Sequence, residues 1–522
     1  MKKKTRQLLT GLLSVILAAS MLQGCSSQSG GSSQAASAQN SEGSREITVA
    51  FWDIETLLSG GEQDKLLQKI QEEANVTIKP VNVTWDDYHQ KIQLWASSNQ
   101  LPDLFAIDVV GSSFYYDWTE QGIVQPLPDD LSKWPTLEEY LSAPDIEALR
   151  KDDGKLYLIP RSTWDEIKKS STERKCYYRW DLAQQVGITK EPETYDEFRD
   201  MIRRIIAADP EGKDIAGMTT PLVQGLDSFF LPYGVPLGMS DGSGSDFKWI
   251  EQDGQLVPAY FAGDMQSAFQ LARDMYQEGT IEPDIALAKS QLSEDKFLQG
   301  KAAAYYVNIN SDILAQRWNE TNPDKKFEDC VKLAQPFAGP DGTKTCPVFK
   351  TYWSESYIAT KDPAKQEAIL DLYEYLLKND TLVRYGFEGE DWHMEDGVIV
   401  RDTSAADLAK KYPSSGLSIL VQYGWWHNLE LTGDPEVDVY KQMDIDFWNQ
   451  LNEECTIPDY DPSYVNLSTP LKNDFVIKPA DDLLNVMTGQ EPVEDMLEDL
   501  MAKYEKDGLS EMIAEVNEAA GK

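Results

Sequence analysis

Apolar positions fall into short runs and helical stripes that alternate from residue 47 onward. "ITVAFWD" (47–53) reads as a buried strand. Glu62 to Ala74 follows with Leu66, Leu67, Ile70 and Ala74 on one helical face, and "VTIKPVNV" (76–83) alternates as a strand does. Thr84 and Asp87 then form a capping-box start for a helix that places Tyr88, Ile92 and Trp95 together. "DLFAID" (103–108) is the next strand. Strand, helix, strand, helix, strand predicts a mostly parallel sheet with helices on its faces.

"DDGKLYLIP" (152–160) reads as a turn and a strand, after which a second α/β pattern begins at "CYYRWDLAQQVG" (176–187). Thr194 and Glu197 make another capping box, and Phe198, Met201, Ile202, Ile205 and Ile206 fill one face of the helix it opens. Asp264 to Glu278 continues the pattern, "KFLQGKAAAYYVNIN" (296–310) is a helix end and a strand, and "VFKTYWSESYIAT" (348–360) is strand-like. Asp362-Pro363 opens a helix to Asn379. The chain ends in amphipathic helices, one carrying Val493, Met496, Leu497, Leu500, Met501 and Tyr504. Neither an internal repeat nor a low-complexity stretch occurs past residue 44.

The first residues change the picture. Lys2, Lys3, Lys4 and Arg6 precede an apolar run from Leu8 to Leu22 that is too short for a comfortable membrane span. This is the pattern of a secretory signal peptide, expected over 1–24. Leu22-Gln23-Gly24-Cys25 resembles the lipobox of bacterial lipoproteins, in which the cysteine is lipidated, although Gln23 stands where a small residue is usual. Ser26 to Ser44 is nearly all Ser, Gly, Gln and Ala, so residues 25–45 read as a lipidated tether. An extracellular chain anchored to the cell membrane at Cys25 is expected. Its 48 basic and 88 acidic residues give a net charge of −40, which repels nucleic acid and anionic lipid. Cys176, Cys330, Cys346 and Cys455 contain no CxxC pair and allow three disulfide pairings, or none.

"NQLPDLFAID", "GKLYLIPR", "YYRWDLAQQVGITKEPETYDEF", "FLQGKAAAYYVN" and "YGFEGEDWHMEDG" resemble, in order and spacing, the landmarks of extracellular solute-binding proteins of ABC importers. They are most similar to the long lipoprotein branch of the carbohydrate-binding group from Gram-positive bacteria. The resemblance implies an α/β periplasmic-binding-protein-like fold of two lobes (type II), joined by a multi-strand hinge with the ligand in the cleft between. The lobes are expected at 46–160 plus 301–352 and at 161–300 plus 353–522, with the hinge near Pro160, Lys301 and Tyr352. The implied partners are an oligosaccharide and a membrane permease; a monomer without nucleic acid is expected.

A sugar offers hydroxyls at its edge and C–H patches on its faces, so a cleft that holds it needs aromatic plates and charged or amide groups. Those groups should sit where strands end or cross. The candidates are Trp52, Asp53, Asp108, Arg161, Trp164, Asn308, Trp353, Glu355, Trp392 and Trp425. Trp425 and Trp426 are adjacent, so in a strand they would face opposite ways. Related proteins often carry a calcium loop near "ADPEGKDIAG" (208–217); Asp209, Glu211 and Asp214 remain, but the loop is shortened, and a plain turn without cofactor is expected. No catalytic residue is expected. The alternative is a lipid-anchored carbohydrate-active enzyme. His89, His393 and His427 show no metal spacing, and any two of 88 carboxylates could be picked as a hydrolytic pair.

Overall fold

The structure, a computed structural model, describes residues 45–84, 87–151, 153–234, 249–395, 397–432, 434–457 and 467–522. The expected signal peptide, the tether and Cys25 lie outside the described residues.

Two sheets organise the chain. The first has the order β2-β1-β3-β11-β4, from β1 (Glu46–Ala50), β2 (Thr77–Val81), β3 (Leu104–Ile107), β4 (Ile159–Ser162) and β11 (Tyr352–Ile358). β1 runs parallel to β2 and β3, as the βαβ pattern requires, whereas β11 is antiparallel to both β3 and β4. The second has the order β10-β5-β9-β6, from β5 (Lys175–Arg179), β6 (Ala216–Thr219), β9 (Ala302–Val307) and β10 (Val331–Leu333). Here β6 and β9 are parallel, and β5 is antiparallel to β9 and β10. Two hairpins stand apart: β7 (Trp249–Gln252) with β8 (Gln255–Pro258), and β12 (Trp392–Glu395) with β13 (Val398–Arg401).

Each sheet has its own core. Val49, Leu66, Ile70, Phe105, Tyr357, Ile369 and Tyr373 pack on the first. The second is covered on both faces because adjacent strand residues point to opposite sides. Tyr178 and Tyr306 join Phe198, Ile202, Phe269 and Leu483, while Tyr177 and Tyr305 join Trp318, Phe327 and Phe447. The caps form largely as read. Thr194 Oγ accepts from the Glu197 amide (3.2 Å), and the Asp87 carboxylate accepts from the Thr84 amide (2.8 Å), with its helix starting at Tyr88.

The sheet membership corrects the expected lobes. Residues 302–307 belong to the second sheet, and residues 352–358 to the first, because β9 pairs with β5 and β6 and β11 with β3 and β4. The helix Pro363–Lys378 and the segment through Val421 pack on the first core, and the terminal helices pack on the second. Lys301 therefore does not lie at a crossing. Among the described residues, the chain passes between the sheets at 163–174, at 334–351 and from 424 onward. These segments lie side by side. The amides of Thr163 and Trp164 donate to the Thr351 carbonyl (2.7 and 3.0 Å), the Trp425 amide donates to the Thr163 carbonyl (2.8 Å), and the Phe349 amide donates to Ser170 Oγ (2.9 Å). Beyond the third crossing, the helix Pro435–Glu454 is pinned to the second lobe by Asp444, which pairs with Lys175 (3.1 Å) and accepts from Ser311 Oγ (2.7 Å).

Candidate ligand-binding cleft

The crossings bring together aromatic rings that are far apart in sequence. Tyr88 contacts Trp52 (centroids 5.0 Å apart), Trp52 contacts Trp353 (5.5 Å), Trp353 contacts Tyr423 (5.6 Å), Tyr423 contacts Trp425 (5.5 Å), and Trp425 meets Trp164 edge-on (6.1 Å). The ladder runs from the end of β1 across β11 to the first crossing. Trp353, Tyr423 and Trp425 are half-buried, so part of each ring remains open, whereas Tyr88, Trp52 and Trp164 are buried. Gly424 makes the turn between Tyr423 and Trp425. Its φ is +61°, and a Cβ there would come within 2.8 Å of the Arg384 guanidinium and 2.9 Å of the His427 ring.

Polar groups flank the ladder. Asp108, just past β3, accepts from Tyr88 Oη (2.9 Å) and contacts His89 Nε2 (2.8 Å). Burial pushes its carboxyl up, but the contacts with His89 and Tyr88 outweigh burial and hold it below the usual range. Asp53 is exposed at the end of β1, in the left-handed region (φ 66°). Arg161 is fully buried behind the rings, with its guanidinium 4.8 Å from the Phe51 centroid, 5.1 Å from Trp52 and 5.8 Å from Tyr423. It donates to the hydroxyls of Ser354 and Ser356. Arg161 thus supports the platform from below, through side-chain hydroxyls of β11. Glu355 is 1% exposed, and its carboxylate accepts from the Val109 amide (3.2 Å) and Tyr357 Oη (3.3 Å), which ties β11 to the end of β3.

At its far end the ladder opens on a cavity of about 330 Å³ lined by Trp164, Trp425, Glu173, Asn308, Glu294 and Arg317, among others. Trp425 comes from the segment leaving the first lobe, and Asn308 from the end of β9 in the second. Glu173 is buried. It pairs with Arg174 (2.9 Å) and accepts from Trp164 Nε1 (3.5 Å). Desolvation raises its carboxyl above the usual range despite the neighbouring Arg174. Asn308, with its amide turned to satisfy both partners, donates to the Glu173 carbonyl (3.1 Å) and accepts from Arg174 (3.2 Å). The side chains are built for hydrogen bonding beside flat apolar faces.

Of the expected residues, Trp52, Trp353, Trp164 and Trp425 fall in the ladder, Asp108 flanks it, and Asn308 lines the cavity. Trp392 is elsewhere: it is buried in the β12–β13 hairpin, with Nε1 donating to the Gly386 carbonyl (3.1 Å) and its ring against Tyr385. Trp425 and Trp426 do part company, in a 3₁₀ turn rather than a strand, and Trp426 packs at a tilt against His427 (centroids 5.1 Å apart). Sequence reasoning missed Tyr88, Tyr423, Glu173 and Arg317. Tyr423 had a signal, since it stands two residues before Trp425 in "YGWWHN". In the 208–217 loop the Asp209 carboxylate accepts from the amides of Lys213 and Asp214 (3.0 and 3.1 Å). Glu211 pairs with Lys213 (2.8 Å), Arg179 (3.2 Å) and Lys325.

A family model of bacterial extracellular solute-binding proteins matches residues 59–381. Among curated proteins, the chain is similar to Lipoprotein LipO of Bacillus subtilis (strain 168), 26% identical over 399 residues and 73% of each chain. It is also similar to the polygalacturonan/rhamnogalacturonan-binding protein YtcQ of that organism, 22% identical over 469 residues and 88% of each chain. Among solved structures, the ABC-transporter substrate binding protein FusA of S. pneumoniae in complex with kestose shares the fold, with a TM-score of 0.67 at 16% identity, over 91% of this chain and 98% of that one. The family match covers more than half of the chain, and the fold is that of two lobes joined by side-by-side crossings; the chain belongs to the bacterial extracellular solute-binding proteins.

Proposed function

We propose that this protein captures an oligosaccharide in the cleft and delivers it to the permease of an ABC importer, while a lipid on Cys25 keeps it at the outer face of the membrane. The observation that carries this reading is the aromatic ladder ending at a polar cavity between the lobes. Flat rings with open faces suit sugar C–H surfaces, and their rigidity keeps the entropy cost of binding low. The names of YtcQ and FusA support a saccharide, and that of LipO supports the anchor. Ligand contacts on both sides of the crossings would favour a closed state, which presents both lobes to the permease.

A thermal-shift screen over plant, host and microbial oligosaccharides tests the reading, since a ligand bound only by the folded state raises Tm. The best binder should also reduce the radius of gyration in solution scattering. A panel in which no saccharide shifts Tm refutes saccharide capture. The enzyme alternative makes the opposite forecast, namely product formation from the bound oligosaccharide. For the anchor, Cys25→Ser should release the protein into the medium; retention in the salt-washed membrane fraction would disprove lipidation there.

A further inference from the structure

The names of the relatives leave the ligand's charge open, because polygalacturonan is a polyanion and kestose is uncharged. We infer that the cleft of this chain takes a neutral oligosaccharide and discriminates against uronic-acid sugars. This rests on the saccharide reading above. Recognising a uronate requires a cation whose donors are still available, most effectively an arginine fork. Arg317, the cation lining the cavity, is charge-paired through Nη1 with a carboxylate of the same cavity, Glu294 (2.5 Å). Behind the wall, Arg174 is 2% exposed at its side chain and is held by Glu173. Two guanidinium groups and two carboxylates therefore balance.

Toward the other end of the ladder the charges are again unsuited to an anion. Asp108 and the exposed Asp53 flank the rings, the imidazole of His89 is engaged by Asp108, and Arg384, beside the Tyr423–Trp425 turn, is paired with Asp380 (2.6 Å). Arg161 is fully buried beneath the rings and offers them no exposed donor. A sugar carboxylate would thus meet like charge and would have to break an existing pair. Hydroxyls meet no such penalty, because carboxylates, amides and indoles accept and donate to them without displacing a counter-charge.

The experiment is calorimetry on the full chain at neutral pH and moderate salt, comparing neutral oligosaccharides (fructo-, xylo-, manno- and malto-oligosaccharides) with oligogalacturonides and chitosan oligomers of matched length. The expected result is a neutral binder and at least hundredfold weaker binding of the galacturonides. Glu294→Gln should then raise the ratio of galacturonide to neutral affinity about tenfold, by freeing Arg317. A galacturonide or chitosan oligomer that binds more tightly than every neutral sugar overturns the inference and leaves saccharide capture standing. Silence across all three series overturns both.

A separate observation concerns the cysteines. Residues 344–346 lie alongside 455–456: Thr345 bridges Thr456, the Thr456 amide donates to the Lys344 carbonyl (2.8 Å), and the Cys346 amide donates to the Thr456 carbonyl (3.3 Å). The thiols of Cys346 and Cys455 are near enough to shift each other's titration. We propose that Cys346 and Cys455 close to a disulfide outside the cell, while Cys176 and Cys330 stay reduced. An oxidising compartment favours such closure, and the family is extracellular. Interaction with Cys346 holds the Cys455 thiol below its usual range, so Cys455 is the attacking group. Its thiolate attacks a disulfide donor such as oxidised glutathione, releasing one thiol. Cys346 then loses its proton and displaces the second, so the two electrons pass to the donor.

After incubation of the full chain with oxidised glutathione, non-reduced peptide mapping should show Cys346 linked to Cys455, and alkylation should mark Cys176 and Cys330. Dithiothreitol should then lower Tm for the wild type but not for Cys346→Ser. Alkylation of both Cys346 and Cys455 after oxidation, or linkage of either to Cys176 or Cys330, overturns the assignment.

Discussion

Trp353→Ala tests the middle of the aromatic ladder. Trp353 lies between Trp52 at 5.5 Å and Tyr423 at 5.6 Å and keeps part of its ring open. A tryptophan presents up to about 250 Å², and a half-buried ring leaves at most about 80 Å² for a ligand to cover. At about 25 cal/mol/Å² that is about 2 kcal/mol, or about thirtyfold in Kd. The free protein loses two ring contacts of about 0.5–1.5 kcal/mol each, so about 1–3 kcal/mol of stability should go as well. The two effects separate when calorimetric Kd for the best glycan and Tm of the ligand-free protein are measured on the same samples. Trp353→Phe, which keeps a flat face, should recover most of the affinity. Unchanged Kd with a Tm loss of core size would show that Trp353 only packs, and the ladder would then not be a sugar platform.

Trp392→Ala should do the reverse, costing about 3–5 kcal/mol of stability with no change in Kd, because its buried indole is engaged by Gly386 rather than by the cleft. Differential scanning calorimetry beside the glycan titration checks this. Glu211→Gln should cost about 2 kcal/mol at neutral pH by removing an acceptor shared by three cations. Burial raises the Glu211 carboxyl, but contacts with Lys213, Lys325 and Arg179 override it and bring it to about 2, so its folded pKa lies below its unfolded one. Its stabilisation is therefore present above the ordinary glutamate pKa of about 4.3 and is lost as pH falls from there toward 2, where the variant and wild-type unfolding curves should converge.

The stretch from residue 45 to about residue 108 was legible because each element there is decided locally. The strand read at 47–53, which forms at Glu46–Ala50, the Leu66–Ile70 stripe and the Thr84–Asp87 start need only neighbouring residues. Which sheet a strand joins is not local. "AAAYYVN" and "YWSESYIAT" are equally apolar, and only pairing with β5 or β3, far away in sequence, assigns one to the second lobe and the other to the first. The same holds for the site. Trp52, Trp353 and Trp425 stood out as tryptophans near strand ends, but the ladder exists only because β1, β11 and the third crossing converge. Tyr423 joins the ladder through its contacts with Trp353 and Trp425, and its sequence signal was no more than Trp425 two residues on. Glu173 and Arg317 carry no pattern that separates them from other charged residues in a chain with 48 basic and 88 acidic side chains.

The three crossings also govern how the chain can be divided. Glu355 reaches back 246 residues to bind Val109, so the first lobe lacks a strand until the whole first stretch of the second has been made. Neither lobe is an uninterrupted piece that could be excised, swapped or folded alone. A nick in 163–174 splits the first sheet, leaving β11 on a different fragment from β1, β2, β3 and β4. Closing so many long-range contacts costs loop entropy before it is repaid, which makes the native state slow to form. For a protein built from two lobes, it should therefore unfold as one cooperative body.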